Sequence, residues 1–181
     1  MAAIRFVLAF VCFAATGSSG QPDGYLLSRE SLDREKITAI AQGQLGVREL
    51  TGHNDGAAVE SYLAVTGLRK GYPWCAAYVC WVCHQAGFPK PTSAWSPDLF
   101  PASRITKQVM PGNVLGIYFP ELKRIAHVGL LVKQDGEWCV SIEGNTNISG
   151  SREGDGVYLK RRHVRTIYRI ADWVTEGGKK P

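Results

Sequence analysis

The sequence predicts an α+β domain, with helices first and an antiparallel sheet of about five strands after them. Two observations carry this. Apolar residues recur at helical spacing in the first half, and the pattern then changes to short β-branched runs separated by turn residues. Helices followed by strands, rather than alternating with them, is the order of an α+β domain. The chain has 181 residues, 45% hydrophobic and 20% charged, ordinary globular values that suffice for one domain with a real core.

The chain opens with a single charge, Arg5, then an apolar run from Phe6 to Ala15, then the small residues Thr16 to Gly20. Charged start, short apolar stretch and small-residue exit describe a secretory signal peptide over 1–20. The run is too short to span a bilayer, so no integral membrane segment is expected after cleavage. Cys12 raises lipidation as an alternative, but Val11 before it is larger than such sites prefer. Residues 21–29 read as a linker, 30–174 as the single folded domain and 175–181 as a flexible tail.

Within the domain, Leu32, Ile37, Ile40, Ala41 and Leu45 mark a helix over Ser31 to Leu45, with Gly46 as its stop. The turn-rich segment Thr51 to Gly56 follows, and Asn54 or Asp55 is the expected cap of a second helix through Val65. A third helix begins at Cys75 and ends before Gly87. Four prolines between Lys90 and Pro111 make that stretch mostly loop. Strands are expected over Asn113 to Phe119, Ile125 to Lys133, Glu137 to Glu143, Val157 to Arg162 and Thr166 to Ile170. Asp135-Gly136 supplies a hairpin turn.

Net charge is +5, and +4 without Arg5. The late cluster Lys160, Arg161, Arg162, His163, Arg165 suits proximity to a polyanion, or is simply a solvated strand face. The basic-aromatic pattern of a nucleic-acid module is absent, so no nucleic-acid partner is expected. A monomer is expected.

The chemistry centres on Cys75. It follows the rigid Gly71-Tyr72-Pro73-Trp74 and stands in the first turn of a helix, where the dipole and free N–H groups favour a thiolate. The backbone amides of Cys75 and Ala76 can also receive an oxyanion there. His127 heads a strand, sharing a face with Gly129 and Leu131. Folding the next strand back across Asp135-Gly136 brings position 127 opposite roughly position 144. Either Glu143 or Asn145 can then reach the imidazole and hold its tautomer, completing a nucleophile, base and orienter set. Glu143 is the expected nearer group, with Asn145 supporting the ring or the oxyanion. Tyr72, Trp74 and Trp95 are candidates to line the cleft, or else core packing.

Gly71 to Val79, Ile125 to Gly129 and Ile142 to Thr146, in this order, resemble a CHAP domain. That is the cysteine, histidine-dependent amidohydrolase/peptidase family, related to NlpC/P60 peptidases on a papain-like fold. Gly150 to Val157 resembles a hairpin of one bacterial branch, and Glu49 through Asn54, Asp55 and Tyr62 resembles the segment before its nucleophile. The resemblance covers nearly all of the chain after residue 20. It implies Cys75 as nucleophile, His127 as base, and Glu143 with Asn145 as the orienting pair. It implies hydrolysis of a peptidoglycan amide, either the muramoyl–L-alanine bond or a stem or cross-bridge link, without a cofactor. Some members bind calcium through closely spaced aspartates, and no such cluster occurs here, so no metal is expected.

The extra thiols depart from the family pattern. Cys80-Trp81-Val82-Cys83-His84 is also the attachment motif of c-type haem, which would make the protein an electron carrier, with Met110 as distal ligand. A zinc site from Cys75, Cys80, Cys83 and His84 is disfavoured, because those residues lie on different helix faces. Cys83 and Cys139 are expected as buried free thiols, with a Cys83–Cys139 bridge as the alternative in an oxidising compartment.

Overall fold

The computed structural model describes residues 28–149 and 153–175. The predicted leader, with Cys12, lies outside them. So do the predicted linker up to 27 and the tail from 176. Among the described residues no helix is long and apolar enough to cross a membrane.

The architecture is α+β. Three helices, α1 (Arg29–Gln42), α2 (Ala57–Ala64) and α3 (Cys75–Ala86), precede a six-stranded sheet. The strands are β1 (Ile105–Thr106), β2 (Val114–Phe119), β3 (Arg124–Asp135), β4 (Trp138–Thr146), β5 (Gly156–His163) and β6 (Arg169–Ala171). Their order is β1-β6-β2-β3-β4-β5, all antiparallel.

Several expectations need correction. The helix α1 starts at Arg29, earlier than expected, because the Ser28 hydroxyl accepts from Ser31 N–H and caps it there. It stops at Gly43 rather than Gly46. Neither Asn54 nor Asp55 caps α2; the cap position is Gly56, and Asp55 instead accepts from the Thr51 backbone and hydroxyl. The sixth strand, β1, lies inside the proline-rich segment, where two residues were too few to leave a periodic signal. Thr175, assigned to the tail, is held by Arg34 and Asp172.

The sheet separates two apolar layers. One face packs on the helices, joining Ile37, Val59, Leu63 and Val79 to Val128, Leu130, Ile142 and Val157. The opposite face carries Leu115, Leu131 and Cys139 under Val109, Val164 and Ile167. Alternation along β4 therefore places Ser141 and Glu143 on the face away from the helices, with Cys139. Cys83 belongs to the helix-side layer, so the sheet lies between it and Cys139. All four described cysteines are free, and the alternative bridge is overturned.

Arg34 ties the first helix to the end of the domain. It is 5% exposed, yet its guanidinium donates to Glu30, the Pro111 carbonyl, Asn113, Asp172 and Thr175. A buried cation is tolerable only when its donors are satisfied in this way.

Candidate active site

The third helix begins where sequence places it, and it ends at Gly87 in the left-handed conformation. Its first turn presses on β4 at Gly144. A methyl group there would stand 2.7 Å from Trp74 Cζ3 and 2.8 Å from Tyr78 Cβ, so only glycine lets helix and strand approach this closely. Trp74 is fully buried, packed on Tyr62 and Tyr78, with its indole N–H donating to Glu49 at 2.8 Å. It anchors the loop that precedes Cys75 and does not line a cleft, which corrects its assignment as a substrate contact.

Cys75 is 7% exposed, and its sulfur lies 3.6 Å from the Ser96 hydroxyl. The His127 imidazole and the backbone of Val128 also act on the thiol. Burial pushes the thiol up. The bond and charge of His127, with Ser96 and Val128, outweigh burial and hold it below its ordinary value. The amides of Cys75 and Ala76 lie in the first turn, where N–H groups have no intrahelical acceptor and remain available to an oxyanion.

His127 sits at a β-bulge. Ile117 pairs with His127 and Tyr118 with Ile125, leaving Ala126 as the extra residue. Its Nε2 is 2.8 Å from Glu143 Oε2, which leaves Nδ1 for the thiol. Burial lowers its basicity, but the bonds to Cys75 and Glu143 raise its pKa to about 9. With the thiol depressed and the imidazole raised, each group favours the charged form of the other.

The hairpin register differs by one from the expected position. Asp135 pairs with Trp138, a bulge follows between Leu131 and Lys133, and Leu130 pairs with Ile142. Continued at that register, His127 falls opposite Asn145. Glu143 then stands opposite Gly129 and must lean diagonally to reach the ring. A methyl group on Gly129 would lie 2.4 Å from Glu143 Cγ, so the glycine is what admits the reach.

Glu143 is fully buried, and its carboxylate takes four bonds. Ser141 Oγ donates at 2.6 Å and Arg162 Nε at 3.0 Å to Oε1; Arg162 Nη2 at 2.6 Å and His127 share Oε2. Burial alone would raise its pKa. The two-pronged Arg162 contact and His127 hold it well below the ordinary carboxylate range. Asn145 plays a different part. Its backbone is left-handed (φ 50°), and its amide donates to Asn54 Oδ1 at 3.0 Å. Asn54 N–H in turn donates to Glu49, so Asn145 closes a network with the loop that also anchors Trp74.

Two clefts meet at Cys75, sharing Pro73, Arg124 and Ala126. One, of about 330 Å³, is polar and adds His127, Asn145 and Glu153. The other, of about 360 Å³, adds Leu68, Tyr72, Ala94, Trp95 and Ser96. Tyr72 and Trp95 thus line a cleft, as sequence suggested. In comparisons with known proteins, no family model, curated protein or solved structure matches this chain.

Sequence reasoning missed Ser96, Ser141 and Arg162. Ser141 was accessible, being two residues from Glu143 on one strand face. Arg162 looked like part of a basic strand, and only the β4–β5 register aims it at Glu143. Ser96 had no periodic signal. Cys80 and Cys83 are each 1% exposed and packed in the core, where no haem edge can reach either sulfur, while His84 is exposed. Among the described residues no cluster of three or more His, Cys, Asp or Glu side chains can hold a metal.

Proposed function

We propose that this protein is an exported cysteine hydrolase of peptidoglycan amides, with a CHAP-like variant of the papain-like fold. The observation that carries the reading is the continuous chain Cys75–His127–Glu143–Arg162 at the mouth of two clefts. A buried carboxylate pinned by four donors fixes the imidazole, and the imidazole faces a thiol at a helix start. A structural histidine needs one hydrogen bond and no thiol, and a structural cysteine needs no cleft.

In the reaction, the Cys75 thiolate attacks the scissile carbonyl carbon and the oxyanion is received by the first-turn amides. His127 then gives its Nδ1 proton to the departing nitrogen as the C–N bond breaks, leaving a thioester on Cys75. The now neutral imidazole takes a proton from water, the hydroxide adds to the thioester, and the carboxylic acid leaves as the thiol is restored. Glu143 stays ionised throughout, compensating the imidazolium and holding its tautomer. The assignment to peptidoglycan rests on the motif resemblance and on the net positive charge, which favours a polyanionic wall.

Digestion of purified sacculi tests this. Wild-type protein releases soluble fragments bearing new amino groups, and Cys75→Ala and His127→Ala lose that release by several orders of magnitude, about 10⁶-fold in a serine-protease precedent. Full release by Cys75→Ala would overturn the assignment.

A further inference from the structure

Another cavity, of about 410 Å³, lies past the end of α3 and shares no lining residue with the two clefts at Cys75. Its charged lining is Arg29, Lys90 and Arg104 against one carboxylate, Asp33. None of the three cations makes an ion pair with a described residue. Two nearby carboxylates are committed elsewhere, since Glu30 and Asp172 both bind Arg34, at 2.8 and 2.6 Å.

The fold itself gives these cations little use. Arg29 stands in the first turn of α1, the positive end of a helix, where a further cation is disfavoured. The end of α3 is capped without any of the three. Lys36 donates to the Ala86 carbonyl at 2.9 Å, and the Gly87 and Phe88 N–H groups donate to His84 and Cys83. Arg104 is held in place: one Nη donates to the Thr175 carbonyl at 3.1 Å, and the guanidinium lies 5.1 Å over the Trp173 ring. Trp173 is pinned in turn by its indole N–H on the Leu99 carbonyl at 3.0 Å. A positioned guanidinium and two further cations around a concave space make a receptor for an oxyanion. The Trp173 and Phe88 rings line the same space and suit the C–H face of a sugar or polyol that carries the oxyanion.

We propose that this cavity binds an oxyanion of a wall polymer, phosphate or carboxylate, carried on a sugar or polyol framework, and so retains the polymer while Cys75 acts on it. Cys75 and Ala86 are the first and last residues of α3, about 17 Å apart along its axis. The chain from Lys90 to Trp95 runs from the cavity to the Tyr72–Trp95 cleft. One polymer strand can therefore occupy both places. The anion site stands on the cavity alone, whereas its assignment to a wall polymer rests on the hydrolase reading above.

The test measures co-sedimentation of full-length Cys75→Ala protein with purified sacculi, so that the polymer stays intact. In that background the pair Arg29→Gln and Lys90→Gln removes two exposed cavity charges. The pair Arg161→Gln and Arg165→Gln removes the same charge near β5, at the opposite edge of the sheet from β1 and β6, which Arg104 and Trp173 flank. The cavity pair should weaken binding roughly tenfold, two charge contacts' worth, and the β5 pair by less than about twofold. Equal losses in the two pairs, or no loss in the cavity pair, would overturn the site, because binding would then follow net charge or lie elsewhere. Sacculi stripped of phosphodiester polymers identify the anion. A cavity-pair effect that persists on them assigns the carboxylate, and one confined to untreated sacculi assigns the phosphate. Digestion by protein with Cys75 intact is scored separately. Failure of the site with digestion intact leaves the hydrolase reading standing, and retention through the cavity without digestion ends that reading alone.

Discussion

Replacing Gly129 by alanine puts a methyl group 2.4 Å from Glu143 Cγ and 3.2 Å from the Ile142 carbonyl oxygen. Non-bonded carbons rest at about 3.5–4.0 Å, so Glu143 must retreat by about 1 Å. It has nowhere to go without loss, because its carboxylate bonds span 2.6 to 3.0 Å and a shift of that size breaks the best of them. Disrupting a buried ion pair costs roughly 3–5 kcal/mol. The expected result is destabilisation of about that size in urea unfolding, with a catalytic loss of ~10³–10⁴-fold, the order seen when the orienting carboxylate of a triad is lost. A double-mutant cycle isolates the cause. In a Glu143→Ala background the two Glu143 contacts are gone and the Ile142 oxygen at 3.2 Å remains, so the added cost should fall below about 1 kcal/mol. Equal costs in the two backgrounds, or a Gly129→Ala enzyme as stable and active as wild type, would refute the diagonal-reach argument.

Arg162→Met leaves Glu143 buried without its two-pronged partner and should cost roughly 3–5 kcal/mol in denaturant unfolding, with Arg162→Lys intermediate because one point charge replaces a fork. Arg34→Met should destabilise by a similar amount, about 3–5 kcal/mol, without changing turnover of the folded fraction, since its partners tie α1 to the end of the domain. Turnover should fall as pH rises through about 9, where His127 loses the proton that the departing amine needs, and fall again on acidification as the thiolate is protonated. Stability follows the same groups. The raised His127 contributes fully below its ordinary 6.5 and is lost as pH rises through about 9; the depressed Glu143 contributes above 4.5 and is lost as pH falls. Unfolding free energy measured from about pH 3 to 10 should therefore peak between those limits, and Glu143→Gln should flatten the acid side.

Much of this site is legible in sequence because its geometry is local. The helix from Cys75 to Ala86 follows from a proline before it and a glycine after it. His127 and Glu143 fall together because a tight hairpin at Gly136 fixes which residues of two strands meet, to within the one-residue offset that the turn and the bulge introduce. Both Glu143 and Asn145 flank the expected position, with Glu143 expected nearer; in the fold Glu143 bonds the imidazole and the Asn145 amide bonds Asn54. What was not legible is what long-range pairing supplies. Arg162 reaches Glu143 through the β4–β5 ladder, and Ser96 reaches Cys75 from a loop without periodicity. Trp74 looked like a cleft aromatic by proximity to the nucleophile, but Gly144 lets it sink onto the sheet.

The claim that Cys75 is a thiolate made reactive by His127 is tested most directly by the rate of iodoacetamide labelling as a function of pH, with the labelled peptide identified. The other described thiols, Cys80, Cys83 and Cys139, are buried, and burial pushes Cys80 and Cys83 up to about 12. Among the described thiols a single label is expected on native protein, at Cys75, with loss of activity in step. Its rate should persist well below pH 8.5, the ordinary value of a free thiol, and in His127→Ala should shift to follow that value. A Cys75 rate that tracks an unperturbed thiol in the wild type, or one indifferent to His127→Ala, would contradict it.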